Sequence, residues 1–225
     1  GAGFTGDFTG YTGLTSLTLQ DSAAGAISVT ASSTTDLNIT GTGASTVAVI
    51  GGGLTLDVTT AGATITVGNT AVANAFTSAT LTNTVGNNIT IQDRSGASAA
   101  TGSTLTTVSL SGGATNTVTS NALTSLTLAG STGTTTTTIT AAAATRAVVV
   151  SLGANTSETV VDATATTATV TSTSAHTIAA LNFAAATSIT VNATANTTVT
   201  AMLATAATSM AFDATGGTLT VTEVD

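Results

Sequence analysis

Apolar residues in this chain come in pairs separated by one polar residue, and the pairs recur about every ten positions. The first half carries them at Leu17/Leu19, Ile27/Val29, Leu37/Ile39, Val47/Val49, Leu56/Val58, Ile65/Val67 and Ile89/Ile91, with a weaker strand around Leu81. The second half continues with Val108/Leu110, Val118, Leu126/Leu128, Ile139, Val148/Val150, Val160, Val170, Ile178, Leu181/Phe183, Ile189/Val191, Val199, Met210/Phe212 and Leu219/Val221. Side chains of an extended chain alternate faces, so each pair predicts a short strand, apolar on one face and polar on the other. One copy, Leu14–Leu19, returns letter for letter at Leu123–Leu128, and its Thr-Ser-apolar-x-apolar core is echoed at Thr187–Val191 and Thr208–Phe212.

Turn-forming residues sit between the pairs: Ala24-Gly25, Ser32-Ser33, Gly41–Gly43, Gly51–Gly53 and Gly68-Asn69. No apolar stripe with a helical period is present, and Thr and Val favour strands. Two all-β architectures use short strands at this spacing, a β-sandwich and a β-solenoid. Asn-Gly and Asp-Gly hairpin turns are absent, which speaks against the sandwich. The matching strands at Leu17 and Ala79, and at Leu126 and Ile189, lie 62 and 63 residues apart, or three coils of about 21. The expectation is therefore an all-β, parallel β-helix-like solenoid with two strands per coil, about ten coils and a rod ~50 Å long.

Residues 1–13 read as an aromatic and glycine-rich cap or contact arm, because Phe4, Phe8 and Tyr11 each precede Thr-Gly. Residues 14–225 read as one repetitive β domain. The run Thr134–Thr138, followed by Ala141–Ala144, reads as a loosened turn within it. The inward set is predicted to include Leu17, Leu19, Leu37, Ile39, Ile65, Val67, Ile89, Ile91, Leu126, Leu128, Ile189 and Val191. Thr18, Thr66, Thr90, Thr127 and Thr190 are predicted to face outward.

Only 5% of the residues are charged, 42% are hydrophobic, and Pro, Cys and Trp are absent. The regular apolar beat separates this composition from that of a disordered chain. The net charge is −8, with two basic residues, so the chain lacks the basic footprint that nucleic acids and anionic membranes require. No apolar run approaches the ~20 residues of a membrane-spanning helix. The start at Gly1, with neither Met nor a signal-like segment, reads as an excised or processed fragment. Without Cys the sequence carries no disulfide and no thiol chemistry.

Few residues offer reactive chemistry. His176 is the sole histidine, and no Gly-x-Ser-x-Gly elbow surrounds any serine, so a catalytic triad is not indicated and His176 reads as an exposed turn residue. Arg94 reads as a local partner of Asp93, Arg146 as a surface turn, and the close pair Glu158 and Asp162 as solvated surface. The chain is expected not to be an enzyme. An acidic chain suits calcium, which takes oxygen ligands. The stretch Gly51–Asp57 approaches the calcium-binding nonapeptide but departs from it at the third glycine and the aspartate. Asp36 and Asp57, 21 residues apart, are the candidate calcium ligands because that spacing is about one coil and would stack them.

Thr/Ala/Gly-rich strands such as Leu-Thr-Ser-Leu-Thr-Leu, with acidic balance and no Cys, resemble the surface-layer proteins that Gram-negative bacteria secrete through a one-step export system. The likeness spans Leu14–Val224 and lies in composition and beat. It implies an extracellular, cell-surface assembly module with calcium-dependent lattice contacts and anchoring by another domain. The expected partners are further copies of the chain, in a layer or filament, and cell-surface glycan; nucleic acid and membrane insertion are not expected. Two alternatives stand beside this, an adhesin stalk and an ice-binding solenoid. The Thr-x-Thr pairs, among them Thr64/Thr66, Thr117/Thr119 and Thr138/Thr140, are unevenly spaced in sequence, so they are not expected all to stack on one face. Asn38, Asn88 and Asn196 open Asn-x-Thr triplets of the N-glycosylation type.

Overall fold

The computed structural model describes residues 3–22, 24–68, 74–84, 87–93, 103–130, 134–141, 146–155 and 157–225. Asn69, Arg94 and Ala142–Ala144 lie outside the described residues. The described residues form 21 strands and no helix. In chain order they are β1 (Phe4–Asp7), β2 (Ser16–Asp21), β3 (Ala26–Ala31), β4 (Asp36–Gly41), β5 (Thr46–Gly51), β6 (Thr55–Thr60) and β7 (Thr64–Val67). Then come β8 (Ser78–Asn83), β9 (Ile89–Gln92), β10 (Thr107–Gly112), β11 (Thr115–Thr119), β12 (Ser125–Ala129), β13 (Thr134–Thr140) and β14 (Ala147–Leu152). The last are β15 (Ser157–Val161), β16 (Thr167–Ser172), β17 (His176–Asn182), β18 (Ser188–Ala193), β19 (Thr197–Leu203), β20 (Ser209–Ala214) and β21 (Leu219–Val221).

Odd-numbered strands make one sheet of 11 and even-numbered strands a second sheet of 10. Neighbours within each sheet are parallel throughout. The chain alternates between the sheets at every step, so each coil contributes one strand to each face. This is the two-strand solenoid that the spacing predicts, and 11 strands at ~4.8 Å give a rod of ~50 Å.

The beat of apolar pairs becomes the register of the core. In the even sheet one inward rank runs from Leu17 through Leu37, Leu56, Ala79, Val108, Leu126, Val150, Val170 and Val191 to Phe212. In the odd sheet Ile27, Val47, Ile65 and Ile89 stack likewise. Leu37, Ile39, Ile65, Val67, Ile89, Ile91, Leu126, Leu128, Ile189 and Val191 are buried as expected. Leu17 and Leu19 are only half-buried, because β2 is an edge strand with a neighbour on one side. Thr18 and Thr66 are exposed as expected, whereas Thr90, Thr127 and Thr190 are half-buried.

Coil length is not constant. Leu37 pairs with Leu56, 19 residues on, whereas Ala79 pairs with Val108, 29 residues on. Turns absorb the difference, and glycine serves the tightest of them. Gly51 and Gly52 have φ of 76° and 117°, and a Cβ would strike the Ala31 carbonyl at Gly51 and the buried Phe76 ring at Gly52. The threonine run read as a turn is instead β13, with Thr135 and Thr137 buried on its inward face. Threonine is a good strand former, and its residue-2 alternation survives in a uniform run.

The first aromatic stretch joins the array. Phe4–Asp7 pairs with β3, Phe4 and Phe8 stack at 6.4 Å and pack on the core, and Tyr11 extends the cluster at 63% exposure. Leu126→Ala is expected to cost ~2–5 kcal/mol in denaturant unfolding, because its site is closed on all sides, while Thr127→Ala stays within ~0.5 kcal/mol.

Candidate functional surfaces and the polar interior

Asp36 opens β4, and its Oδ1 accepts hydrogen bonds from the backbone N–H groups of Leu54 and Thr55 at 2.8 and 3.0 Å. It thereby caps the start of the next coil, as an N-terminal cap satisfies loose donors. Asp57, exposed on β6, stands beside Asn38 on one side and Thr80 on the other. The register therefore offsets the two aspartates by two residues along the strand rather than stacking them. The cause is the short coil: 19 residues, not 21, separate ladder partners here. One oxygen of Asp36 is committed to two backbone donors, and the two carboxylates are not ladder partners. Among the described residues no three His, Cys, Asp or Glu side chains converge on a point.

The outer face of the odd sheet carries a threonine rank. Thr66, Thr90, Thr117 and Thr138 are successive ladder partners, bounded by Ala48 and Val161. Thr115 pairs with Thr136 beside it, and Gln92, Thr119 and Thr140 form a further rank. Uneven sequence spacing thus does not keep these four apart, since the turns take up the excess. Thr80/Thr82 and Thr169/Thr171 lie on the other sheet. Its outer rank, from Ser16 through Thr107 and Ser125 to Thr169 and Thr190, is interrupted by exposed Val149.

At the far end of the even sheet, Met210 and Phe212 continue the core ranks of Ile189 and Val191, yet they are 42% and 45% exposed. Strand β20 has one ladder neighbour, β18, and leaves its other edge open.

The interior holds charge that the beat alone did not flag. Arg146 is not a surface turn residue: it is 6% exposed, and its Nη1 lies 2.7 Å from Oδ2 of fully buried Asp162. Its Nη2 donates to Asp162 Oδ1 at 2.7 Å, and that oxygen also accepts the N–H groups of Thr164 and Ala165. Asp93 is buried as well, its Oδ2 accepting from the N–H groups of Thr104 and Leu105 and the hydroxyl of Ser120. Glu158, read as solvated surface, is 1% exposed on the inward face of β15. Asn155 donates to its Oε2 at 2.6 Å and to the Leu128 carbonyl at 3.1 Å. Burial pushes the Glu158 carboxyl up to about 7, although hydrogen bonds from Thr135 and Asn155 pull it the other way. A signal was present in the sequence: Glu158 precedes Val160 by two, so it occupies the inward position of a pair.

His176 begins β17 and is half-buried rather than an exposed turn residue. Its Nδ1 bonds the Ser174 carbonyl at 2.8 Å and lies 3.5 Å from Ser172 Oγ, which takes a hydrogen bond from Thr197 at 2.7 Å. Ser172 is fully buried, so this Ser–His contact presents no nucleophile to solvent. No protein family, curated protein or solved structure matches the chain.

Removing one partner of the interior ion pair leaves the other charge buried and unpaired. Asp162→Ala is expected to destabilise the protein by ~3–5 kcal/mol in urea unfolding, against less than ~1 kcal/mol for Asp57→Ala on the exposed face.

Proposed function

We propose that the chain is a structural module that associates with further copies of itself, end to end, into an extracellular layer or filament at a bacterial surface. The observation that carries this reading is the apolar face of β20, where Met210 and Phe212 continue the core ranks yet are 42% and 45% exposed. At the opposite end β2 offers Ser-Leu-Thr-Leu where β20 offers Ser-Met-Ala-Phe, the same alternation on an open edge. Parallel pairing of these edges would continue both the backbone ladder and the apolar ranks. The nearly uncharged hydroxyl faces favour side-by-side packing at little desolvation cost.

Charge sets the conditions. Asp213, Glu223 and Asp225 lie toward one end, Asp7 and Asp21 toward the other, so contact brings like charges together. Calcium bridging between copies would relieve that repulsion, which is how the calcium expectation enters this reading. An adhesin stalk shares the fold but not the contact.

Sedimentation and electron microscopy decide between them. Assembly is expected with calcium, dispersal with chelator, and at least a tenfold weaker association for the double variant Met210→Glu, Phe212→Glu, which keeps its fold by circular dichroism. Rods that stay monodisperse at every calcium concentration would leave the stalk reading.

The stacked Thr66, Thr90, Thr117 and Thr138 favour a second reading, ice binding, since strand geometry sets them on a regular grid ~4.8 Å by ~6.7 Å. That reading expects a gap between freezing and melting temperatures that Thr117→Tyr abolishes; the assembly reading expects none.

A further inference from the structure

We propose that Glu158 is a proton-operated joint in the solenoid: as a neutral acid it lets β15 dock between β13 and β17, and as a carboxylate it loosens that coil. This stands apart from the assembly reading, because it concerns the interior of one copy. The geometry carries it. Glu158 occupies an inward rank whose ladder neighbours are Thr135 on β13 and Ile178 on β17. An isoleucine on one side offers an ionised group nothing, and the polar partners that reach it, Thr135 and Asn155, are neutral. The ion pair of the interior is closed on itself four residues away, where Arg146 is held by Asp162.

The ladder between β15 and β17 carries an irregularity, with its extra residue on β17. Between Glu158 and Thr159 the register to β17 shifts, so Ala179 has no partner on β15. A bulge interrupts the ladder hydrogen bonds and lowers the cost of local opening there. The inward neighbours one coil earlier are polar too: Asn116 faces Thr137, and Thr135 faces Glu158. On this side of the interior Glu158 therefore meets neutral polar groups and one isoleucine, with no cation against it among the described residues.

The other ionisable groups around it are few. His176 starts β17, two residues before Ile178, and Asp162 and Arg146 flank the end of β15 and the start of β14. Strands β12, β13, β14, β16 and β18 contribute none. The direction follows from linkage. A carboxyl that holds its proton more tightly in the closed coil than in the open one stabilises the coil below its ordinary range, and that stabilisation is lost as pH rises through neutrality.

Hydrogen–deuterium exchange on the whole chain, corrected for intrinsic rates, tests this. With closed and open values of about 7 and 4.5, protection of β15 is expected to fall roughly tenfold between pH 6 and pH 8, while β3 to β7 change little. The fall should vanish in Glu158→Gln and persist in His176→Gln, which removes the histidine that starts β17. A fall that survives Glu158→Gln, or that is lost with His176→Gln, overturns the proposal. Should Glu158→Gln not fold, the side-chain carboxyl of Glu158 is titrated by carbon NMR in the unaltered chain. A midpoint near neutrality sustains the joint, and one in the ordinary carboxylate range ends it.

Discussion

Every strand in this molecule depends on the strand one coil before it and the strand one coil after it, and on little else. The parallel ladder fixes backbone spacing along the rod, so each inward side chain sits on its equivalent in the next coil. Stability is then a sum of coil terms and nearest-neighbour interfaces, not the property of one central core. Leu126 illustrates the consequence. It is held by Val108 below and Val150 above, and removing it weakens two interfaces without reaching the ends of the rod.

The same constraint makes the ends different from the middle. A residue such as Phe212 obeys the core pattern but lacks the neighbour that the pattern presupposes. At the other end the aromatic cluster of Phe4, Phe8 and Tyr11 covers part of the first coil, since rings supply area that small side chains do not. Leu17 and Leu19 remain half-buried even so. An array built from small residues gains modest area per coil, so an uncovered coil is a large fraction of what any interface offers.

Much of this architecture was legible before any coordinates, because alternation and beat are one-dimensional and the fold is close to one-dimensional as well. Inward positions such as Ile39 and Val191 follow from period two alone. What the sequence hid was coil length. A three-coil average of about 21 is compatible with successive coils of 20, 19 and 23 residues, so it does not place Asp57 against Asp36, which the register offsets by two. Averages over coils cannot assign ladder partners; only the turns do, and their lengths carry no register of their own. The threonine rank was missed for the same reason. Arg146 and Glu158 differ for another reason: charge suggests exposure, yet Glu158 stands where the alternation puts an inward residue.

Buried charge changes how the interior is organised. Most coils pack Val, Ile or Leu against their own kind, and there the rod tolerates drift in sequence because volume is all that must be kept. On β11, β13 and β15 the inward positions include Asn116, Thr137, Thr135 and Glu158 beside Val118, Ile139 and Val160. Polar groups inside a narrow solenoid must be satisfied by specific partners, so Asn155 has to reach both a carboxylate and a carbonyl. Hydrogen-bond direction thus adds to shape as a source of order in these coils. They are also the coils beside which the register to β17 slips. A chain of nearly interchangeable apolar coils therefore contains one segment where protonation state, not packing volume, decides how firmly neighbours hold. In a structure whose cooperativity passes only from coil to coil, such a segment limits how far order at one end can support order at the other.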